Sequence, residues 1–190
     1  MNTCVRWLGL AGLLGLVAGC VPSLQPLYTP DTIVYEPALV GVWGQTNKED
    51  RWEFVKSGED HYKLTHTDKE KHTGEFTAYL VKVKEQRFLD LYPEDSDAKL
   101  NELFAMHLVA AHTFLWVPKC GPTLELAMMS QDAVKKLLTE KPGTVKHEKV
   151  KDGFLLTAAP KELQVFLAAS DLTELYGEPA KLVRVPAKKD

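Results

Sequence analysis

Histidines are the first residues whose type could do chemistry. The chain carries six of them, and a zinc site needs ligand atoms that converge at about 2.0–2.1 Å from one ion, with short characteristic spacings. His61 and His66 would face opposite sides of a shared strand, because an odd number of positions separates them. His107 and His112 straddle a predicted turn and are the candidates for a pair across a hairpin. Ordinary polar histidines on a sheet face are the favoured alternative, so we expect no metal and no other cofactor.

A cluster of carboxylates is the second candidate. Asp90, Glu94, Asp95 and Asp97 lie close to Pro93, and paired carboxylic acids hydrolyse glycosides only when a cleft holds them at a defined separation. Such a run beside a proline is typical of a solvated turn. The chain also has no Gly-rich phosphate loop, no GxSxG and no CxxC motif. We therefore predict no catalytic residue.

Cys120 is a third candidate, because a thiol can act as a nucleophile. Catalysis would need a neighbouring base, and His112 is the only close candidate in the sequence. Apolar neighbours (Trp116, Val117 and Leu124) favour a buried and inert thiol. A free thiol that pairs between molecules stays open as the alternative.

The amino-terminal residues form a leader. Arg6 precedes the uncharged stretch Trp7–Val17, which is well short of the roughly 20 residues that a membrane-spanning helix needs. The small residues Ala18 and Gly19 then precede Cys20, a pattern that resembles the lipobox of bacterial lipoproteins. The resemblance implies a diacylglyceryl group on the Cys20 sulfur and cleavage between Gly19 and Cys20. A conventional secretory signal, cut after Ala18 or Gly19, is the alternative.

The lipobox resemblance also implies a location and a set of boundaries. Val21 stands where Asp commonly retains a lipoprotein at the inner membrane, so we expect an outer-membrane anchor facing the periplasm in a cell with two membranes. The predicted parts are a signal peptide at residues 1–19, a lipidated cysteine and Pro-rich tether at 20–37, and one globular domain at 38–190. Prolines favour extended polyproline geometry of about 3.1 Å per residue, so the tether could hold the domain up to about 50 Å from the bilayer. Its apolar residues indicate that part of it lies along the domain.

From Leu39 onward apolar and polar residues alternate, which predicts β-strands. The gaps are too short for crossover helices, so neighbouring strands should run antiparallel as a meander. About eight strands are predicted, at Leu39–Gly44, around Phe54, Leu64, Ala78 and Asp90, and at Leu103–Val109, Thr113–Lys119 and Thr123–Met129. Two or three helices follow, with Ser130, Pro160 and Asp171 at their starts, and Leu182–Val185 could return as a strand. The fold class is thus α+β, mainly antiparallel β, as a curved sheet or barrel.

Eight antiparallel strands can close into a barrel, and the Gly41-Val42-Trp43 tripeptide resembles the Gly-x-Trp of lipocalin-like (calycin) barrels. In that family the Trp fills the closed end of the barrel and a basic residue near the last strand packs over it. The resemblance implies a structural role for Gly41 and Trp43, with Arg184 as the basic partner. A core Trp in a plain sheet is the alternative.

Two hypotheses for function remain. One is a non-enzymatic membrane-tethered module that binds a small hydrophobic ligand or another envelope component, or that has a structural role. The other is an envelope hydrolase whose His and Asp/Glu residues meet only in space. An apolar hollow would favour binding, convergent polar groups would favour catalysis, and a solid core would favour a structural role. We favour the first, and a net charge of −3 excludes an electrostatic nucleic-acid partner.

Overall fold

Strands with alternating apolar side chains dominate the computed structural model, which describes residues 21–94, 101–151 and 153–186. Eight strands pair antiparallel in a closed barrel and two form a separate hairpin. The barrel strands are β1 (Gly41–Gly44), β2 (Arg51–Ser57), β3 (His61–Thr67), β4 (Thr73–Val83), β5 (Gln86–Pro93), β6 (Thr113–Cys120), β7 (Thr123–Met128) and β10 (Ala180–Arg184). The hairpin is β8 (His147–Val150) with β9 (Gly153–Leu156). The predicted antiparallel, lipocalin-like class is confirmed.

From β1 to β7 the strands are arranged around the barrel in chain order. Each strand from β1 to β7 pairs with the next one, and β10 then fits between β7 and β1. Trp43 of β1 lies opposite Arg184 of β10, while Leu182 lies opposite Leu124 of β7. The last strand therefore completes the barrel beside the first.

The period of two places successive side chains inside and outside the barrel. In β4, Leu80 points into the interior core and its neighbour Val81 belongs to an outer core. Leu80 pairs with Leu89 and Val81 with Phe88 across the β4–β5 ladder, so each face is apolar at this point. All four side chains are fully buried. Burial of each contributes roughly 1.5–3 kcal/mol to stability, so both faces of this sheet region stabilise the fold.

Four helices are described, and all except the first pack on the outer core. They are α1 (Glu102–Ala105), α2 (Gln131–Glu140), α3 (Pro160–Ala169) and α4 (Leu172–Tyr176). The three predicted starts are confirmed: Ser130 accepts from the N–H of Ala133, Pro160 is the first residue of α3, and Asp171 accepts from the N–H groups of Thr173 and Glu174. Among the described residues, no helix has both the length and the apolar character to cross a bilayer.

The predicted strand at Leu103–Val109 is wrong. This stretch forms the short helix α1 and a following turn, and the eighth barrel strand is β10. Its apolar residues stand next to one another instead of alternating with polar ones, so neither face of a strand would be polar. The side chains of Leu103, Met106 and Val109 are exposed.

The amino-terminal segment (residues 21–36), where the sequence predicts a tether that lies partly along the domain, packs on the barrel. Val21 is 3% exposed, and Ser23 and Leu27 are fully buried. Ser23 bridges His112 and also Leu156 of β9 by backbone pairing. The segment supplies apolar side chains to the outer core, so burial outweighs the extended preference of its prolines and no free spacer follows residue 21.

A short 3-10 helix, Pro37–Leu39, joins this segment to β1 at one end of the barrel. Trp43 is fully buried there, and its Nε1–H donates to the carbonyl of Leu39 over 2.8 Å. Gly41 has a φ of +133°, and a Cβ at this position would collide with the guanidinium of Arg184. We call this the closed end. The opposite end of the barrel is the open end. Strands β2 and β6 begin there, and strands β3 and β7 end there.

Candidate functional site

Asp90 and His112 form a buried pair on the outer face of the barrel. Oδ1 of Asp90 lies 2.7 Å from Nδ1 of His112, and the N–H of Leu27 donates to Oδ2 over 2.6 Å. Asp90 is 1% exposed and His112 is 8% exposed. Each carboxylate oxygen therefore has a hydrogen-bond partner, one in the amino-terminal segment and one just before β6. The geometry is that of an internal tie between the amino-terminal segment and β5.

The placement of Asp90 corrects the predicted solvated turn. Asp90 lies within β5, and the amino-terminal segment covers it. Among the described residues of the predicted cluster, Glu94 is the one that follows β5. Its Oε1 accepts from the Thr77 hydroxyl over 3.3 Å. Asp95 and Asp97 lie outside the described residues. The structure therefore separates buried Asp90 from half-buried Glu94 and forms no carboxylate pair from them.

The weak metal candidates His107 and His112 have different partners. His107 is exposed, and its Nδ1 lies 2.7 Å from the carbonyl of Leu103 in its own segment. His112 faces Asp90 on the barrel. Neither belongs to the group of three convergent ligand residues that the described part of the chain contains.

That group is Asp68, Glu70 and His72, in the turn between β3 and β4. Asp68 Oδ1 already accepts from the backbone N–H groups of Glu70 and His72, and Oδ2 lies 3.2 Å from Nδ1 of His72. The glutamate and the histidine are exposed. These contacts form a self-contained hydrogen-bonded turn.

Cys120 is half-buried against the interior core. Burial raises the pKa of its thiol, with a smaller contribution from the nearby charge of Glu36. His112 precedes β6 whereas Cys120 ends it, so about eight residues of strand hold them roughly 25 Å apart. The sequence neighbour His112 therefore cannot act as the base for this thiol. The predicted lipidation residues Gly19 and Cys20 lie outside the described residues.

The barrel interior is filled over most of its length. Its fully buried side chains come from every second position of the strands, and they include Trp43, Phe54, Tyr62, Leu64, Leu80, Leu89 and Leu124. Phe54 and Tyr62 meet edge to face with ring centroids 6.3 Å apart. Burial raises the pKa of the Tyr62 hydroxyl to about 12. The middle of the barrel is thus a packed core.

A concavity of about 380 Å³ opens at the other end, and we call it the mouth pocket. This volume falls within the range of small-molecule sites, about 300–1,000 Å³. Inward-facing apolar side chains form its floor, and the polar groups lie toward the rim. Its residues are Gln45, Asp50, Trp52, His66, Leu115, Leu126, Ala127, Met128, Glu178, Ala180 and Leu182.

Trp52 and His66 form one wall of the mouth pocket. They pair across the β2–β3 ladder, and their ring centroids are 4.5 Å apart. Burial lowers the pKa of His66, although the carboxylates of Asp50 and Asp68 oppose that shift. At pH 7 the imidazole is therefore neutral. The wall offers an indole face and one uncharged hydrogen-bonding ring beside the acidic rim.

Two further concavities lie on the outer surface. One, of about 450 Å³, is lined by Phe88, Trp116 and residues at the end of α3 and the start of α4, with Lys84 and Glu85 at its edge. The other, of about 530 Å³, lies between α3 and the loop before β8, where Lys146 and Lys161 line it. Both mix apolar and charged lining residues. The mouth pocket differs in that its floor is made by the inward faces of barrel strands.

The sequence includes one signal for the mouth pocket, the aromatic Trp52 on an alternating strand. Strand parity separates His66 from His61, and the structure places His66 inside, while the ring of His61 lies tilted against Tyr79 with centroids 5.1 Å apart. Leu182 and Ala180 join the pocket only because β10 closes the ring. Nothing in the local sequence marks them as pocket residues.

Comparison with known proteins finds no family model, no curated protein and no solved structure that matches this chain.

Proposed function

We propose that this chain is a bacterial lipoprotein, anchored through acylated Cys20, whose barrel binds a small apolar molecule at the mouth pocket. The observation that carries the binding proposal is the pocket floor. Leu115, Leu126 and Leu182 leave an apolar hollow at the open end of an otherwise filled barrel. Apolar concavities with a few polar groups are the usual geometry of small-molecule sites.

The polar groups of the mouth pocket limit the chemistry of its ligand. Asp50 and Glu178 carry negative charge at the rim, and His66 is neutral at pH 7. A carboxylate or phosphate group on the ligand would meet like charges there, at a cost that grows with burial. An apolar molecule with a neutral or cationic polar end fits these walls, and the Trp52 ring offers a face for a cation or an aromatic group.

The hydrolase alternative receives less support. Its best histidine–carboxylate pair is Asp90 with His112, and that pair is covered by the amino-terminal segment. A general base must reach a proton on a substrate. Both oxygens of Asp90 are already occupied by internal hydrogen bonds.

The anchoring half of the proposal is tested by labelling the full chain in bacteria with radioactive palmitate. The wild-type protein should carry label, and Cys20→Ser should lose it. Cys120→Ser is the matched control, since it removes the other cysteine of the processed chain, and it should keep the label. Anchoring at Cys20 is contradicted if both variants keep the label or if both variants lose it.

The binding half is tested with the neutral apolar fluorophore N-phenyl-1-naphthylamine. Wild-type protein should bind it with energy transfer from Trp52, and Ala180→Phe, which fills the pocket from its wall, should weaken binding at least tenfold. Ala169→Phe is the matched control on an exposed position of α3. Equal affinity in Ala180→Phe and wild type, or no binding by wild type, would reject the pocket as a site.

A further inference from the structure

Four large apolar side chains are exposed in one short stretch between β5 and β6. Leu103 is 67% exposed, Met106 80%, Leu108 55% and Val109 74%; we call them the apolar patch. From Leu103 to Ala111 the sequence contains no Asp, Glu, Lys or Arg. Concentrated apolar exposure of this kind marks an interaction surface.

The amino-terminal segment enters the fold beside this patch. Ser23 donates to the carbonyl of His112 over 2.9 Å, and His112 donates back to the carbonyl of Ser23 over 2.8 Å. Val21 is already buried. Val21, where the described chain begins, is two residues before Ser23, and Val109 is three residues before His112, so both lie within about 11 Å of that bridge.

The open end of the barrel lies at the same place. His112 directly precedes β6, and Leu115, three residues later, lies on the floor of the mouth pocket. The attachment point of the chain, the apolar patch and the pocket therefore share one end of the molecule. The closed end, with Trp43 and Arg184, is at the opposite end of the strands.

We propose that the apolar patch inserts into the lipid bilayer next to acylated Cys20, so that the open end of the barrel faces the membrane. This inference rests on the proposed lipidation of Cys20. A tethered patch meets the bilayer at a high effective concentration, because the anchor holds it there without a spacer. The uncharged stretch suits an acyl-chain environment, whereas it offers no charge pattern for a specific protein partner.

The mouth pocket then opens beside the bilayer. An apolar ligand could pass between membrane and pocket with a short path through water, and a neutral His66 with rim carboxylates would meet its polar end. In this orientation, the ligand of the proposed function is a molecule that dissolves in the membrane.

The test uses the full-length lipidated protein in vesicles of phosphatidylethanolamine and phosphatidylglycerol. In a Cys120→Ser background, Met106→Cys is labelled with a nitrobenzoxadiazole fluorophore, and Val55→Cys is the matched control. Val55 is apolar, 51% exposed and lies on β2, next to the inward-facing Phe54 and therefore on the outer face. Lipids that carry a nitroxide on the acyl chain should quench the Met106 label at least threefold more than the Val55 label.

Each outcome is decisive. Equal quenching at both positions on a protein whose Cys20 lipid is verified by mass spectrometry overturns the orientation and leaves the anchor intact. A Cys20 without lipid overturns the anchor and the orientation together. Shielding of the Met106 label in native membranes but not in protein-free vesicles assigns the patch to a protein partner and also overturns the proposal.

Discussion

The guanidinium of Arg184 lies over the indole ring of Trp43, with its Cζ 4.4 Å from the ring centroid. Its two terminal nitrogens donate to the carbonyls of Val40 and Ala38 over 2.9 and 2.8 Å. One side chain from the last strand thus covers the Trp and satisfies the backbone that turns into β1. A planar fork can make both hydrogen bonds while stacking, which a lysine ammonium cannot.

Replacing this arginine should destabilise the closed end. We expect Arg184→Lys and Arg184→Ala to lower the free energy of unfolding by about 1–2 kcal/mol, since a partly exposed cation–π contact and two hydrogen bonds are lost. For a chain of this size that corresponds to a fall in Tm of roughly 3–7 °C. Thermal unfolding followed by circular dichroism measures it.

Lys181→Ala is the control for charge on the same strand, because Lys181 is exposed. It should leave the Tm within about 1 °C, as surface substitutions usually do. A lysine at position 184 that preserved the wild-type Tm would show that the fork geometry does not matter there.

The Asp90 carboxylate should be needed for stability because two donors depend on it. Asp90→Ala removes both oxygen acceptors, so the Leu27 N–H and the Nδ1 group of His112 lose their buried partner. We expect a loss of about 2–4 kcal/mol, measured by urea unfolding. The matched control is Glu94→Ala, which removes a half-buried carboxylate just after the strand, and a loss as large in the control would contradict the interpretation.

The amino-terminal segment should behave as part of the domain. A chain that begins at Val21 should keep the Tm of the mature protein. A chain that begins at Leu39 loses the buried Val21, Ser23 and Leu27 and uncovers Asp90, so we expect the Tm to fall by more than 10 °C or cooperative unfolding to disappear. Scanning calorimetry of the two chains tests this, and equal transitions would restore the hypothesis of a free tether.

His66 should make stability depend on pH. Burial lowers its pKa below the unfolded value of 6.5, so the unfolded chain takes up a proton first as the pH falls. Below about pH 6.5 this uptake favours unfolding, whereas above that pH both states are neutral and the effect vanishes. Stability should therefore decline from pH 7.5 to 5.0 more steeply in wild type than in His66→Gln.

Because all other titratable groups are common to the two proteins, their contributions cancel in that difference. The Tm of each protein is measured at both pH values. A parallel decline in wild type and His66→Gln would mean that His66 is as well solvated in the folded chain as in the unfolded one.

Local patterning predicted most of the barrel and the helix starts. In β3 and β4 the alternation of apolar and polar residues assigns each side chain to a face, and the short gaps require antiparallel neighbours. Ser130 and Pro160 mark helix starts through interactions within one turn. Such features depend on residues close together in the chain.

The remaining features depend on long-range pairing. The apolar content of Leu103–Val109 favours a strand, but its apolar residues do not alternate with polar ones, and the stretch forms a helix and a turn instead. Asp90 and His112 are 22 residues apart, and their contact exists only because β5 and β6 pair while Leu27 covers them. The mouth pocket likewise needs the register of β10 against β7, which no local pattern specifies.

The pairing of β1 with β10 has a consequence for the order of events during biogenesis. A chain that emerges from a ribosome or an export channel with its amino end first keeps an unpaired seam along β1 and β7 until residues 180–184 have appeared. The barrel therefore cannot close until β10 is available to pair with β1 and β7. Closure of the barrel is therefore a late step of folding.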